Sequence, residues 1–580
     1  MSSKVAGVYS SKVTVSSSVD SKNRNITVIL GKATTGPFEP TEVFSETHAE
    51  KLFGPELNND FGLLALNKIL KTSYSAIYCR IAHKGDKAVF KNDATPLFEA
   101  KEGGTHLNSA TLRVDTTDSK VKVTLSLSDA VLEVIECSKE PLSSDYLIDT
   151  FNSKSMYLNI VATNIESFAS ITSISVEPGT DGVKEATLTS SDLGATTLYK
   201  GSYLNDARLT ISTTVDGKIG ATLVKNGVIL ESIPQGIAGE TAEAFKIRFN
   251  NASEYVQILN YPKVKSVQGV FQGGDSGLNV DASDYIGTQS EGLKALADTS
   301  QNMITTLIIP GVSTPEVLAY AQSLANTRQD FSYIADPPLG LRSYQTTAWV
   351  DATGAFTGST RLDSANVTVY SPWVLSTNNS GDSVYIPPSI AIASLLCSND
   401  TTGNIWDAPA GYEQGLLTDV NGLEYNPVLD DRNILNKNSV VNPIIYVKDV
   451  GYVAFGNKTT KRTKYPQNPE ADCSFNVVRL VNHIIYTIRY MAMSDLFKTN
   501  DSITWDNFKL KVEPFLRNIK ENRGLYDYEV IMDETTVTSD KIDALEMPGI
   551  IRLKPSRTAE VIELNFELYP SGITFTSNEE

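Results

Sequence analysis

The chain is predicted to be a multidomain protein of the α/β and α+β classes, with an α/β core, an inserted antiparallel β-rich domain and a C-terminal α+β domain. Strand-like apolar runs alternate with helical patterns on both sides of the middle of the chain, as in an α/β core. Short alternating segments separated by turn residues fill the middle. Long amphipathic helices followed by strands fill the end. A length of 580 residues suits several such domains.

The first part of the core is assigned to residues 25–97. Residues 25–31 form a continuous apolar run, which is typical of a strand buried on both faces of a parallel sheet. Residues 61–71 carry a broad apolar helical face, and residues 75–81 return as a second strand. The pattern predicts a β-α-β unit.

The β-rich domain is assigned to residues 98–270 and is predicted to be an insertion that interrupts the α/β pattern. Its short alternating segments are separated by Gly, Asp, Ser and Asn, which favour turns. The clearest of these segments are residues 111–114, 120–127, 130–137 and 223–233.

The core is predicted to resume over residues 271–470. Residues 303–309 form a buried strand, and residues 331–335 form the next. A helix between them starts at Thr314-Pro315-Glu316, where Thr can cap, Pro fits the first turn and Glu suits the helix dipole. This order predicts a βαβ crossover.

The C-terminal domain is assigned to residues 471–580. A long helix is predicted over residues 475–493, and a second follows Thr504, with Pro514 starting a new turn or kinking it. Strands are then predicted over residues 526–532, 549–554 and 560–569.

Both ends of the chain carry a strand pattern that has no evident partner nearby in the sequence. Residues 1–24 form an arm with Val13 and Val15 in one short strand. The last strand places Ile562, Leu564 and Phe566 on one face. A lone strand is unstable, so we expect both strands to be donated to neighbouring subunits.

Composition excludes some classes of function. Fifty Lys and Arg residues against 68 Asp and Glu residues leave a net charge of -18, which opposes nucleic-acid binding and adhesion to anionic membranes. The N-terminus lacks a signal-peptide core, and no apolar run suffices for membrane insertion. The cysteines do not form a metal or redox pair, which suits a reducing cytoplasm; they are Cys79, Cys137, Cys397 and Cys473.

Catalytic constellations are not predicted, and the chain is expected not to be an enzyme. Gly274-Asp275-Ser276-Gly277 matches a serine-protease segment, but the upstream histidines lack that family's surroundings. His483 is interpreted as a core histidine, and Asp430-Asp431 as a solvated loop. No catalytic, cofactor-binding or metal-binding residue is assigned, and no cofactor is expected.

Residues 404–411 resemble a signature of contractile phage tail sheath proteins. Trp406-Asp407-Ala408-Pro409-Ala410-Gly411 is similar to the W-x-A-P-A-G motif of that family. Residues 366–374 and 384–396 resemble the family segments that precede it, and residues 433–456 the stretch that follows. The helices and strands of residues 475–580 resemble the sheath C-terminal domain. Where many sheaths have W-G-x-R-T, this chain has Phe455-Gly456-Asn457-Lys458-Thr459.

The resemblance implies a structural subunit that polymerises as stacked rings around an inner tube, with the inserted domain of residues 98–270 facing outward. Such a sheath contracts from a metastable assembly and drives the tube through a bacterial envelope without nucleotide hydrolysis. The implied partners are further copies in a helical stack, the inner tail tube protein, and baseplate and tail terminator proteins, with no direct nucleic-acid contact. The implied location is the virion tail, after assembly in the host cytoplasm.

A cationic helix in the C-terminal domain is predicted to face the tube. Its candidate residues are Lys509, Lys511, Arg517 and Lys520. Weak ion pairs at such a surface would release easily, and the alternative is an ordinary solvated helix face. For the whole chain, the alternatives are a non-contractile structural lattice protein and a surface or adhesin protein with a β-rich accessory domain.

Overall fold

A computed structural model describes much of the chain between Asn25 and Ala559. Within that range the description leaves out residues 59, 84–86, 93–94, 104–109, 117–119, 128–129, 139–143, 156–157, 161–173, 178–181, 191, 273–274, 299–303, 439 and 464–468. The mixed α/β, multidomain class predicted from the sequence is confirmed, with several separate sheets. None of the described helices is long and apolar enough to cross a membrane.

The first part of the core contains the predicted β-α-β unit. Its elements are β1 (Thr27–Lys32), β2 (Thr41–Val43), α1 (Glu46–Phe53), α2 (Gly62–Leu70) and β3 (Ala76–Ile81). Strands β1 and β3 pair in parallel. Ile29 packs into one hydrophobic cluster, and its neighbours Val28 and Leu30 pack into another on the opposite face. The continuous apolar run therefore has the predicted cause, burial on both faces.

The middle of the chain forms antiparallel sheets. Its first elements are β4 (Lys87–Asn92), β5 (Thr95–Gly103), β6 (Ala110–Thr116), β7 (Lys120–Leu127), β8 (Ala130–Ser138), α3 (Ser144–Lys154), β9 (Leu158–Ile160) and β10 (Ile174–Glu177). The later ones are β11 (Thr187–Thr189), β12 (Gly194–Thr197), β13 (Arg208–Thr213), β14 (Ile219–Lys225), β15 (Val228–Ile233), α4 (Ala242–Ala252), β16 (Val256–Asn260) and β17 (Val267–Val270). The segment predicted at residues 223–233 is split into two strands, because Asn226 and Gly227 turn the chain with positive φ angles.

The middle region meets the core at a junction where three segments of the chain are hydrogen-bonded to one another. The His83 amide donates to the Gly277 carbonyl over 2.7 Å, and the Val183 amide donates to the His83 carbonyl over 2.9 Å. The chain thus leaves the core at His83, passes the same point at Val183 and returns at Gly277. Residues 186–271 pack their own hydrophobic cluster beside this junction.

The second part of the core completes an eight-stranded sheet. Its elements are α5 (Ala282–Ile286), α6 (Gly292–Ala295), β18 (Thr306–Ile308), α7 (Pro315–Arg328), β19 (Ser332–Ala335), α8 (Ser343–Val350), β20 (Val367–Ser371), β21 (Val374–Thr377), β22 (Ser383–Ile386), α9 (Pro388–Thr402), α10 (Gly411–Gln414), β23 (Gly422–Leu423), α11 (Leu429–Asn438), β24 (Asn442–Val447) and β25 (Gly451–Ala454). The strand order is β2-β3-β1-β18-β19-β20-β24-β25. Both edge strands are antiparallel to their neighbours, and the strands between them are parallel.

The predicted βαβ crossover is confirmed by the parallel pairing of β18 with β19 across α7. Pro315 begins the helix and Thr314 holds the N-cap position, but the Thr314 side chain makes no capping hydrogen bond. The interpretation of Asp430-Asp431 as a loop is wrong. Both lie in the first turn of α11, where the helix dipole favours acidic side chains.

The C-terminal region pairs two long helices with a hairpin. Its elements are α12 (Phe475–Met493), α13 (Ser502–Glu521), β26 (Leu525–Ile531), α14 (Ser539–Asp543) and β27 (Ile550–Pro555). Helix α12 has the predicted bounds. Helix α13 starts earlier than predicted, because Asp501 caps it by accepting the Thr504 amide at 2.9 Å. It continues through Pro514. Proline has no amide hydrogen, so one carbonyl in the preceding turn loses its helical hydrogen bond. Because Pro514 is exposed, that carbonyl can face water instead.

Candidate assembly surfaces

Helix α12 attaches the C-terminal region to the core through ion pairs to buried aspartates. Arg479 donates two hydrogen bonds to Asp400, at 2.8 and 2.6 Å, and both residues are buried. The Asn25 amide donates to the same carboxylate at 2.8 Å. Further along the helix, Arg489 pairs with buried Asp330 at 3.0 Å. Burial raises the pKa of Asp400, and the contacts from Arg479 and Asn25 oppose that rise.

His483 lies on α12 between those two ion pairs. Its ring centroid is 5.8 Å from that of Phe515 on α13. Burial, and to a smaller degree the charge of Arg479, lowers the pKa of His483 to about 4. The imidazole is therefore neutral at pH 7, which agrees with its interpretation as a core histidine.

The motif residue Trp406 connects the core to two parts of the C-terminal region. Its indole Nε1 donates to the Asn522 carbonyl at 3.0 Å, and its own carbonyl accepts from Asn476 at 3.0 Å. A Cβ atom on Gly524 would lie 3.0 Å from two ring carbons, so only glycine fits there without displacement. The signature tryptophan thus packs where α12 begins and where α13 ends.

The hairpin of β26 and β27 is a two-stranded antiparallel sheet in the described part of the chain. Residues alternate along β27, with Ile551 and Leu553 packed towards the hydrophobic cluster of α12 and α13. Each strand pairs on one side only, so each presents an open edge among the described residues. Unpaired strand edges are templates for further strands.

The cations predicted on α13 lie mostly in ion pairs within the chain. Lys509 pairs with Asp506 at 2.9 Å, Lys511 with Asp495 at 2.6 Å, and Lys520 with Asp527 at 2.7 Å. Asp495 is buried and also accepts from Lys498; its burial opposes ionisation, but the two lysines outweigh that effect and lower its pKa.

Arg517 differs from those lysines. It is exposed, and no acidic side chain pairs with it within the described residues. It lies on the outward stripe of α13 with Ile503 and Leu510, which are each 69% exposed. The cationic character of this helix surface therefore depends on Arg517 more than on the lysines.

The residues predicted for strand donation lie outside the described residues: Val13, Val15, Ile562, Leu564 and Phe566. Two described residues next to these segments, Asn25 and Thr558, lie close to α12 or to its contacts. Asn25 contacts Asp400, the partner of Arg479. The Thr558 hydroxyl is 3.5 Å from the amide of Asn457, which contacts Asn476.

Among the described residues, the serine-protease match does not form a catalytic arrangement. Ser276 is buried; its hydroxyl donates to the Thr34 carbonyl at 2.8 Å and contacts Ser202 at 2.7 Å. The His83 ring faces Asp284 at 3.0 Å.

The same histidine belongs to a group of three potential metal ligands. The ligand atoms of His83, Asp281 and Asp284 lie within 4.8 Å of one another. Both carboxylates already cap helix α5: Asp281 accepts from the Asp284 amide at 3.1 Å, and Asp284 accepts from the Asp281 amide at 2.9 Å. These contacts give the acidic side chains a structural role.

Sequence reasoning missed the buried cation Arg80. It is 1% exposed and donates to the carbonyls of Gly36 at 2.8 Å and Lys200 at 2.6 Å. Burial lowers its pKa to about 10, so it remains charged at pH 7. Its signal was a charged residue inside the otherwise apolar strand β3, but its partners are carbonyls that no side-chain pattern reveals.

The geometry first defines a class: a multidomain α/β protein whose notable surfaces, in the part that the structure describes, are a strand-edge hairpin and an exposed helix. Comparison with known proteins then shows what the chain is similar to. Residues 470–568 match the family model of the phage tail sheath C-terminal domain. The chain is 28% identical over 342 residues to the tail sheath protein of Vibrio phage KVP40, covering 55% of this chain and 49% of that protein.

A second tail sheath protein, from Enterobacteria phage T4, is 29% identical over 191 residues, or 33% of this chain and 28% of that protein. The chain thus matches half or less of the length of these curated relatives. A sheath tail protein from Listeria innocua has a similar structure, with a TM-score of 0.55 and 12% identity over 92% of this chain and 93% of that one. This likeness shows a shared fold. The predicted resemblance to contractile phage tail sheath proteins is confirmed.

Proposed function

We propose that the chain is the sheath subunit of a contractile tail or a related injection system. It would polymerise as stacked rings around an inner tube and contract to push that tube through a bacterial envelope. The observation that carries the proposal is the match of residues 470–568 to the sheath C-terminal domain, together with sheath relatives that align over up to 55% of the chain. The role is mechanical, and the relatives named as tail sheath proteins favour it over a lattice or adhesin role.

Assembly by strand exchange follows from the hairpin and the chain ends. The open edges of β26 and β27 would accept the arm strand with Val13 and Val15 from one copy and the strand with Ile562, Leu564 and Phe566 from another. Main-chain hydrogen bonds would hold the copies together, and alternate side chains would cover Ile551 and Leu553. Such links keep neighbours connected while whole subunits move.

The tube-facing surface is proposed to be the outward face of α13. Arg517 would supply its free charge, and Lys509, Lys511 and Lys520 would lie beside it in ion pairs with the chain's own acids. Exposed ion pairs are individually weak, so this contact could release during contraction. The inner tube, the baseplate and a tail terminator are the proposed partners, and the virion is the proposed location.

The domain assignment is also a proposal. The predicted units are residues 1–24, 25–97, 98–270, 271–470 and 471–580. Because β1 and β3 share one sheet with β18, β19, β20, β24 and β25, a single core interrupted by an outward insertion accounts for the strand order. The hydrogen bonds at His83 support an insertion that starts nearer residue 84 than residue 98.

Electron microscopy of the purified protein tests the proposed function. We expect hollow striated tubes to form at high protein concentration, because sheath subunits contain their own links to neighbours. Flat sheets would support the lattice alternative. Monodisperse particles under all conditions that polymerise other sheaths would contradict the proposal.

A further inference from the structure

A patch of exposed apolar side chains surrounds Arg432 on the surface of the core. Tyr412 is 56% exposed, Phe455 41%, Val428 62% and Leu429 64%. The Tyr412 and Phe455 rings are 6.3 Å apart, and the Arg432 guanidinium is 6.0 Å from the Phe455 ring centroid. We call these five residues the Arg432 patch. Clustered exposed apolar residues of this kind mark interaction sites.

Arg432 forms no ion pair with the described residues. Its Nε atom is buried and has no hydrogen-bond partner, and no carboxylate of the described residues forms an ion pair with it. A buried donor without a partner costs free energy. The patch is therefore suited to a segment that brings both apolar side chains and negative charge.

The end of the chain is such a segment, and it starts close by. Thr558 contacts Asn457, which is two residues from Phe455. The next residues alternate Ile562, Leu564, Phe566 and Leu568 with acidic or polar Glu563, Asn565 and Glu567. Three residues of extended chain from Ala559 to Ile562 span about 10 Å, so the segment can reach the patch of its own subunit.

We propose that, in the free subunit, residues 562–568 dock on the Arg432 patch of the same chain. Their apolar side chains cover Tyr412 and Phe455, and Glu563 or Glu567 pairs with Arg432. This contact keeps the donated strand from pairing with other copies until assembly displaces it. This proposal rests on the proposed function in one respect: strand donation to other copies is the pairing that the contact prevents.

A photocrosslinking experiment on the monomer tests the docking. The photoreactive residue p-benzoylphenylalanine replaces Phe566, and equal amounts of isotopically labelled and unlabelled monomer are mixed before irradiation. We expect crosslinks to peptides that contain residues 411–414, 428–432 or 452–457, with both halves of each crosslink from the same isotopic pool. Mixed-isotope crosslinks, crosslinks to other peptides, or an absence of crosslinks would overturn the proposal.

Charge variants separate docking from chance proximity. We expect Arg432→Gln to lower the crosslink yield about two- to fivefold, as befits one partly exposed ion pair. The double variant Glu563→Gln, Glu567→Gln should give a similar loss and leaves the described core untouched, so it remains informative if Arg432→Gln fails to fold. Arg517→Gln, an exposed arginine on α13, is the matched control and should leave the yield unchanged. Equal yields in all three would contradict the proposal. Tube formation is not measured here, so this outcome is independent of the test of the proposed function.

Discussion

Trp406, the tryptophan of the W-x-A-P-A-G-like motif, joins the core to the C-terminal region. Its indole packs on Gly524 and donates to the Asn522 carbonyl, so it fixes the end of α13 to the core. The sequence predicted that this motif matters only by resemblance. Its contacts span more than a hundred residues of sequence, and no local pattern reveals a contact at that separation.

Replacing Trp406 should loosen the C-terminal region. We expect Trp406→Ala to lower the free energy of unfolding by about 2 kcal/mol, less than for a fully buried tryptophan because the side chain is half-buried. Trp406→Phe is the matched control: it keeps the ring and loses one hydrogen bond, at a cost of about 1 kcal/mol or less. Urea unfolding measures both, and equal losses in the two variants would show that packing on Gly524 is not the main contribution.

His483 predicts an acid sensitivity of the α12 attachment. The folded state holds its pKa at about 4, below the ordinary value of 6.5, so folding favours the neutral ring. The stability contributed by this group is complete above pH 6.5 and is lost as pH falls from 6.5 towards 4, by up to about 3 kcal/mol. We expect His483→Gln to lose less stability over that interval than the parent chain. Parallel pH profiles of thermal unfolding for the two proteins would count against it.

Regular elements were the most predictable level of structure. Helix α12 was predicted with its observed bounds because its apolar face repeats over five turns. The start of α13 was missed because Asp501, and not Thr504, caps the helix. The prediction of a loop at Asp430-Asp431 is wrong because acidic side chains suit a helix start as well as a loop, and here the helix dipole stabilises them.

The α13 surface shows why charge counting along a sequence is insufficient. Six cations in residues 498–523 suggested a basic helix, but neighbouring acids such as Asp495 and Asp527 neutralise several of them. Only folding brings Asp527 of β26 beside Lys520. The sequence therefore predicted the helix correctly and overstated its free charge.

Arg517→Glu is the sharpest test of a tube-facing α13. We expect it to reduce co-assembly with the inner tube by at least about fivefold, because the charge reversal adds repulsion to the lost attraction. Reversing Lys511 would be ambiguous, since Asp495 is buried and would meet a like charge. Arg113→Glu, a charge reversal at an exposed arginine of β6, is the control. Pelleting of tubes with bound sheath measures the outcome, and unchanged pelleting of Arg517→Glu would reject this surface.

The whole molecule is organised around one interrupted sheet. Residues before His83 and after Gly277 share the eight-stranded sheet, and the intervening chain builds separate antiparallel sheets. The alternation of patterns along the sequence predicted the class of each part. It could not predict that the crossings at His83, Val183 and Gly277 would meet at one point, because that depends on contacts between distant segments.

This junction predicts that part of the middle region is dispensable. His83 and Val183 are hydrogen-bonded neighbours, so residues 85–181 can be replaced by a short glycine linker without moving either end. We expect the shortened chain to fold, with a melting temperature within about 5 °C of the parent, and to polymerise normally. A shortened chain that folds but no longer polymerises would show that these residues belong to the assembly contacts.

We propose that copies of this chain are linked by their terminal segments at the β26–β27 hairpin. A cryo-electron microscopy reconstruction of the polymerised protein measures this most directly. We expect a four-stranded sheet around each hairpin, with the Val13–Val15 strand from one copy and the Ile562–Phe566 strand from another. A reconstruction in which both hairpin edges stay open, or in which both ends fold back on their own subunit, would contradict it.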